Sequence, residues 1–128
     1  MNYLLDTSTF IWLVTKPNKL PKNVQSICAN SKDNLYLSSV SCWEIAQKFS
    51  KKKLNLPDLP SIFIPEMRME HNIYALPLEE KEALRFEPLP QHHNDPADRL
   101  LICQAMEQGM PIITNDKLIR KYDVETIW

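Results

Sequence analysis

The chain has 128 residues, enough for one domain with a buried core, and its 44% hydrophobic and 24% charged residues are ordinary for a globular protein. No apolar run approaches the roughly 20 residues needed to cross a bilayer, and Asp6 interrupts the N-terminus before a signal-peptide stretch can develop, so the expected location is cytoplasmic. A single glycine, Gly109, excludes a P-loop and a dinucleotide fingerprint, and a net charge of −1 is a poor match for a protein that must meet phosphates.

In chain order, Asn2 to Leu5 form a short buried strand ending at Asp6, and a helix follows through Phe10, Ile11, Trp12 and Leu13. Beyond Pro17 and Pro21 lies an amphipathic helix with Val24, Ile27 and Cys28. Leu35 to Leu37 make a second strand, after which Ser38 or Ser39 caps a helix reaching about Lys53. Asn55 to Pro60 is a loop, and a helix through Ile62, Met67 and Met69 leads to a third strand at Ile73 to Leu76. A short charged helix precedes a loop holding Pro88 and Pro90. The next helix has Asp95 as N-cap, Pro96 in its first position and Gly109 as its stop. Pro111 to Thr114 form a fourth strand, Asp116 to Lys121 a last helix, and Val124 to Ile127 a fifth strand. Short apolar strands alternating with helices predict an α/β fold, a parallel sheet of four to five strands covered on both faces. Ligands of such sheets bind at the carboxyl ends of the strands. Cys28, Cys42 and Cys103, odd in number and widely spaced, fit reduced core thiols better than a zinc site.

Four acids fall at those strand ends. Asp6 follows the first strand, Glu44 lies early in the helix after the second, Asp98 opens the helix after the long loop, and Asp116 stands two residues beyond Thr114. Carboxylates crowded together raise one another's pKa unless a cation intervenes, and an all-oxygen donor set suits Mg²⁺ or Mn²⁺. Each acid also has a purely structural account. Asp6 and Asp116 are possible helix caps, Glu44 is placed to pair with Lys48, and Asp98 is a favourable charge at a helix N-terminus. That last account leaves unexplained why Leu101, Ile102 and Ala105 share the Asp98 stripe and turn it inward. Removing four negative charges from a net −1 leaves +3, which permits an RNA partner without demanding one.

Leu4-Leu5-Asp6-Thr7, Ser39-Val40-Ser41-Cys42-Trp43-Glu44-Ile45-Ala46, His93-Asn94-Asp95-Pro96-Ala97-Asp98-Arg99-Leu100-Leu101-Ile102 and Thr114-Asn115-Asp116 occur in this order. Together they resemble the PIN-domain ribonucleases, in particular the VapC-type toxins of toxin–antitoxin pairs. The likeness spans the chain, and Asp95 to Arg99 is its most specific piece. The resemblance implies one three-layer α/β/α domain over residues 1–128 and RNA cleavage dependent on Mg²⁺ or Mn²⁺, leaving 5′-phosphate and 3′-hydroxyl ends. It also implies a homodimer and a small VapB-like antitoxin whose C-terminal segment covers the site. Asp6, Glu44, Asp98 and Asp116 match the family's four acidic positions, Thr114 a hydroxyl position near the metal, and Asp95 a neighbouring acid. Ser8 departs from the pattern, since many relatives carry histidine there.

His92 and His93 invite a metal-ligand or general-base reading beside Asp95, but as adjacent loop residues they are expected on the surface, and His71 is expected beside the carbonyls of a helix end. Lys48, Lys51, Lys52 and Lys53 cluster at a helix C-terminus and, with Arg99, are candidate RNA phosphate contacts; a solvated helix end is the competing account of the lysines. Two other classes stay open. One is a phosphotransfer protein, haloacid-dehalogenase-like or a receiver domain, with Asp6 as phosphate acceptor, although Ser8 stands where the first would have a second Asp and the second would have a paired acid before the acceptor. The other is a non-catalytic metal- or RNA-binding relic.

Overall fold

Alternation along the strands decides which side of the sheet each residue enters. In β1 (Asn2–Leu5), Tyr3 and Leu5 point into one core and Leu4 into the other. The same split runs through β2 (Asn34–Ser38), where Leu35 and Leu37 oppose Tyr36, and β4 (Ile112–Ile113), where Ile113 opposes Ile112. Strands apolar on both faces must be covered twice. In the computed structural model, which describes residues 1–128, they are.

Helices α1 (Thr7–Thr15), α2 (Lys22–Ala29) and α4 (Pro60–Glu70) cover the first face with Phe10, Val24, Phe63 and Ile64. Helix α6 (Pro96–Gln108) covers the second with Leu101, Ile102 and Ala105, and α5 (Glu80–Ala83) packs beside it. Helix α3 (Ser39–Ser50) serves both cores, Val40 in one and Ile45 in the other. The result is the expected three-layer α/β/α arrangement. Its sheet has five strands, all parallel, in the order β3-β2-β1-β4-β5, with β3 at Ile73–Leu76 and β5 at Thr126–Ile127. The chain winds outward from β1 through β2 to β3, then returns to place β4 on the other flank of β1. That reversal opens a crevice beyond the carboxyl ends of β1 and β4, where such sheets bind ligands. No helix is long and apolar enough to cross a membrane.

Two expected helices are shorter than the sequence suggests. Helix α3 ends at Ser50, and the lysines beyond it turn, with Lys52 in the left-handed region at φ 58°. The last helix shrinks to a 3-10 turn at Ile119–Lys121, because the Asp116 carboxylate takes the Leu118 amide (2.8 Å) and closes a local turn that competes with helix. Helix α6 keeps its expected ends: Asp95 Oδ1 accepts the amides of Ala97 (2.9 Å) and Asp98 (3.3 Å), and Gly109 stops it at φ 65°.

A Cβ at residue 109 would meet nothing within 4 Å. Gly109→Ala should therefore cost backbone strain alone, about 1–2 kcal/mol, lowering Tm by about 4–8 °C. Thermal denaturation checks this, and an unchanged Tm would contradict it.

Candidate functional site

The crevice is built outward from Asp6. Parallel pairing of β1 with β4 brings Leu5 beside Ile113, so Asp6 and Thr114 leave the sheet together. Asp6 caps α1, its Oδ1 accepting the Thr9 amide at 2.8 Å. Its Oδ2 accepts from the Thr114 hydroxyl. The Thr114 oxygen in turn accepts the Asp116 amide at 3.0 Å, which brings Asp116 to the same rim. Two acids remote in the chain thus share one hydroxyl.

Helix α3 supplies Glu44 from the neighbouring strand end. The carboxylate is buried and divided between two partners. The Thr7 hydroxyl donates to Oε1 at 2.6 Å, and Lys48, one helical turn on, reaches Oε2 at 3.0 Å. The capping and candidate-ligand accounts of these acids are therefore not exclusive. Asp6 is a cap and Glu44 an ion-pair partner, yet both line one cleft.

Asp98 enters from the first turn of α6, opposite a residue expected elsewhere. His93 is not on the surface. It is 7% exposed, with Nε2 lying 2.8 Å from Asp116 Oδ2 and 3.1 Å from Asp98 Oδ2, while Nδ1 accepts the Asp95 amide at 3.0 Å. Ligand-type atoms of His93, Asp98 and Asp116 all lie within 4.8 Å of one another. His92 does stay exposed, edge-on to the Tyr122 ring. A histidine pair in a polar loop carries no periodicity, and the clue in the sequence was its place beside Asp95, which invites a metal-ligand or general-base role.

Arg99 is a second correction. At 2% exposure it cannot reach RNA. Its guanidinium donates to the carbonyls of Phe86 (3.1 Å), Leu89 (3.2 Å) and Pro90 (2.9 Å) and lies over the Phe86 ring. Following Asp98 by one residue, it turns toward the loop that carries His93 and bonds backbone oxygens there, among them Leu89 O, which has no other partner. The Tyr122 hydroxyl shares the task, donating to Pro90 O at 2.7 Å and accepting the His93 amide at 2.8 Å.

Asp6, Thr7, Ser8, Trp12, Glu44, Lys48, Asp95, Asp98, Asn115 and Asp116 line an open cleft of about 330 Å³. All four predicted acids meet there, with Asp95 beside them and Lys48 the one candidate lysine on the wall. Lys51, Lys52 and Lys53 lie exposed past the end of α3 and do not line it. His71 behaves as expected, its Nδ1 set 3.0 Å from Met67 O at the end of α4. The cysteines are unpaired, Cys103 buried and the others half-buried.

Crowding sets the electrostatics. Burial, then the charges of Asp95 and Glu44, push the Asp98 carboxyl up to about 7. Burial also raises Asp6, partly countered by the bonds from Thr114 and Thr9. Burial works against ionising Asp116 too, but His93 and the amides of Leu118 and Ile119 prevail and hold it below the usual carboxylate range. Carboxylates drawn from remote parts of the chain, one of them held protonated to about neutrality by burial and then by its acidic neighbours, make a hard donor set that fits a divalent cation. Asp6, Asp98 and Asp116, with Glu44, could hold it.

The family model for the PIN domain matches residues 3–125. Ribonuclease VapC22 of Mycobacterium tuberculosis is 25% identical over 120 residues, covering 93% of this chain and 90% of that protein. DNA-bound VapBC from Salmonella typhimurium superposes with a TM-score of 0.72 at 15% identity, over 99% of this chain and 97% of the other. VapBC-5 from Mycobacterium tuberculosis, a member of the VapBC family of toxin–antitoxin systems, gives 0.62 at 17%, over 98% and 97%. At these identities the structural likeness is one of fold.

With chelator present, the folded protein keeps the Asp98 proton up to about pH 7, whereas the unfolded chain releases it near 3.8. The folded state binds more protons across that window, so this residue lowers stability progressively as pH rises through it. Asp98→Asn abolishes the loss. The variant's Tm should pull ahead of wild type from about pH 4, with a lead of at least about 4 °C above pH 7, and saturating Mn²⁺ should close the gap. Melting curves of both proteins at pH 4 to 8 test this; a constant difference would contradict it.

Proposed function

The chain belongs to the PIN-domain family, and from that premise we propose that it is a divalent-metal-dependent endoribonuclease, the toxin of a toxin–antitoxin pair. The observation that carries the reading is the convergence of Asp6, Glu44, Asp98 and Asp116 from four segments on one cleft at the carboxyl ends of β1 and β4. The similarity to a relative named as a ribonuclease supports the RNA substrate, and the likeness to VapBC assemblies supports a VapB-like antitoxin as partner. A homodimer is part of the same proposal.

Mg²⁺ or Mn²⁺, when bound, would polarise the scissile phosphate and make an attacking water more acidic. The chain's own residues do the rest. Asp6, Asp98 and Asp116, with Glu44 beside them, would hold the ion. Thr114 fixes the Asp6 carboxylate by occupying one lone pair of Oδ2, and Asp95 squares the first turn of α6 so that Asp98 faces inward. Lys48 offers the positive charge on the cleft wall, suited to an entering phosphate. Ser8 and Asn115 add a hydroxyl and an amide at the mouth. Lys51, Lys52 and Lys53 are placed to meet the RNA backbone further out.

Purified protein should cleave single-stranded RNA with Mg²⁺ or Mn²⁺ and stop on adding chelator. Asp98→Asn should fall at least about 100-fold, because several kcal/mol of transition-state charge stabilisation are at stake, while its circular dichroism stays that of wild type. An active Asp98→Asn enzyme overturns the assignment. Induced in bacteria, wild type should arrest growth with a defined cut RNA and Asp6→Asn should not. Replacing Lys51, Lys52 and Lys53 together by Ala should flatten the log–log salt dependence of RNA binding by about 2; an unchanged slope removes them from the interface.

A further inference from the structure

His93 is a buried titratable group behind the cleft, against Asp98 and Asp116, that the proposed chemistry does not use, and its surroundings constrain it closely. Nδ1 accepts the Asp95 amide at 3.0 Å and therefore presents its lone pair to that N–H. The ring proton then belongs on Nε2, which points between Asp116 Oδ2 at 2.8 Å and Asp98 Oδ2 at 3.1 Å. A nitrogen that carries this proton has no lone pair for a metal. So although His93 lies within coordinating distance of both acids, it faces them as a donor.

We propose that His93 is a positioning residue, a neutral Nε2–H donor that clamps the Asp98 and Asp116 carboxylates together in the orientation a shared divalent cation needs. The inference rests on the reading of the cleft as a divalent-ion site. The clamp offsets the repulsion between the two acids and leaves their remaining lone pairs turned to the cleft. It is rigid because its loop is fastened from behind: Tyr122 holds the His93 amide and the Pro90 carbonyl, and Arg99 holds the carbonyls of Phe86, Leu89 and Pro90. Outer donors of this kind orient ligands, and their loss weakens metal affinity by about 10–100-fold.

The test uses the full chain without RNA and Mn²⁺ as the probe. Nitrogen-15 NMR of the metal-free protein should place the His93 proton on Nε2, and the Mn²⁺-loaded protein should show no directly bonded nitrogen by electron–nuclear double resonance. Mn²⁺ affinity, read from the free-ion paramagnetic signal, should fall by about 10–100-fold in His93→Ala. His93→Gln, whose amide N–H can reach the same acids, should restore most of it. A proton on Nδ1, a nitrogen bonded to Mn²⁺, or equal affinity in His93→Ala overturns the proposal. Should His93→Ala fail to fold, the two wild-type measurements still decide. Wild type that binds no Mn²⁺ overturns this and the nuclease reading alike, whereas wild type that binds Mn²⁺ but cuts no RNA overturns only the latter.

Discussion

Repulsion among like charges governs this protein. Asp6, Glu44, Asp95, Asp98 and Asp116 share one cleft whose only cationic side chain is Lys48, with His93 at its rear. In water such a group would simply move apart; here the sheet and three helix starts prevent it. The strain is visible in Asp98, held neutral up to about pH 7 chiefly by burial and then by its acidic neighbours. The same repulsion makes the cleft receptive to a small, doubly charged ion, because that ion removes several unfavourable interactions at once.

The acids are retained in this arrangement by being useful to the backbone. Asp6 closes the first turn of α1, Asp95 closes that of α6, and Asp116 pins the turn that replaces a final helix. A helix N-terminus offers unpaired amides and a partial positive charge, so an acid there is stabilised locally even as its neighbours oppose it. Capping and site-building are the same contacts seen from two sides. This is why Asp6 and Asp116, taken singly, each had a sufficient structural explanation, whereas the inward turn of Asp98 did not.

Much of the architecture was legible in the sequence because it depends on short-range pattern. The double-sided apolar strands, the Asp95–Pro96 helix start and the Gly109 stop each follow from one local rule, and the four acids stand out by falling after successive strands. What was hidden depends on long-range packing. Nothing near Arg99 in the sequence reveals that it turns inward to satisfy carbonyls nine to thirteen residues earlier. Nor could a pattern show that Tyr122 would meet that same loop and bury His93 beside Asp116. The final helix failed for a different reason: the Asp116 side chain outcompeted helical hydrogen bonding within a segment too short to resist.

The pairing of β1 with β4 has a consequence in time. Leu5 lies beside Ile113, more than a hundred residues later, and the hydroxyl that steadies Asp6 belongs to Thr114. During synthesis the N-terminal strand and its acid emerge first but stay incomplete through most of translation. Contacts of such separation form late and slowly. A nascent chain therefore carries no finished acidic cleft until the segment that holds Thr114, Asp116 and Tyr122 has emerged and packed against the first strand and the His93 loop.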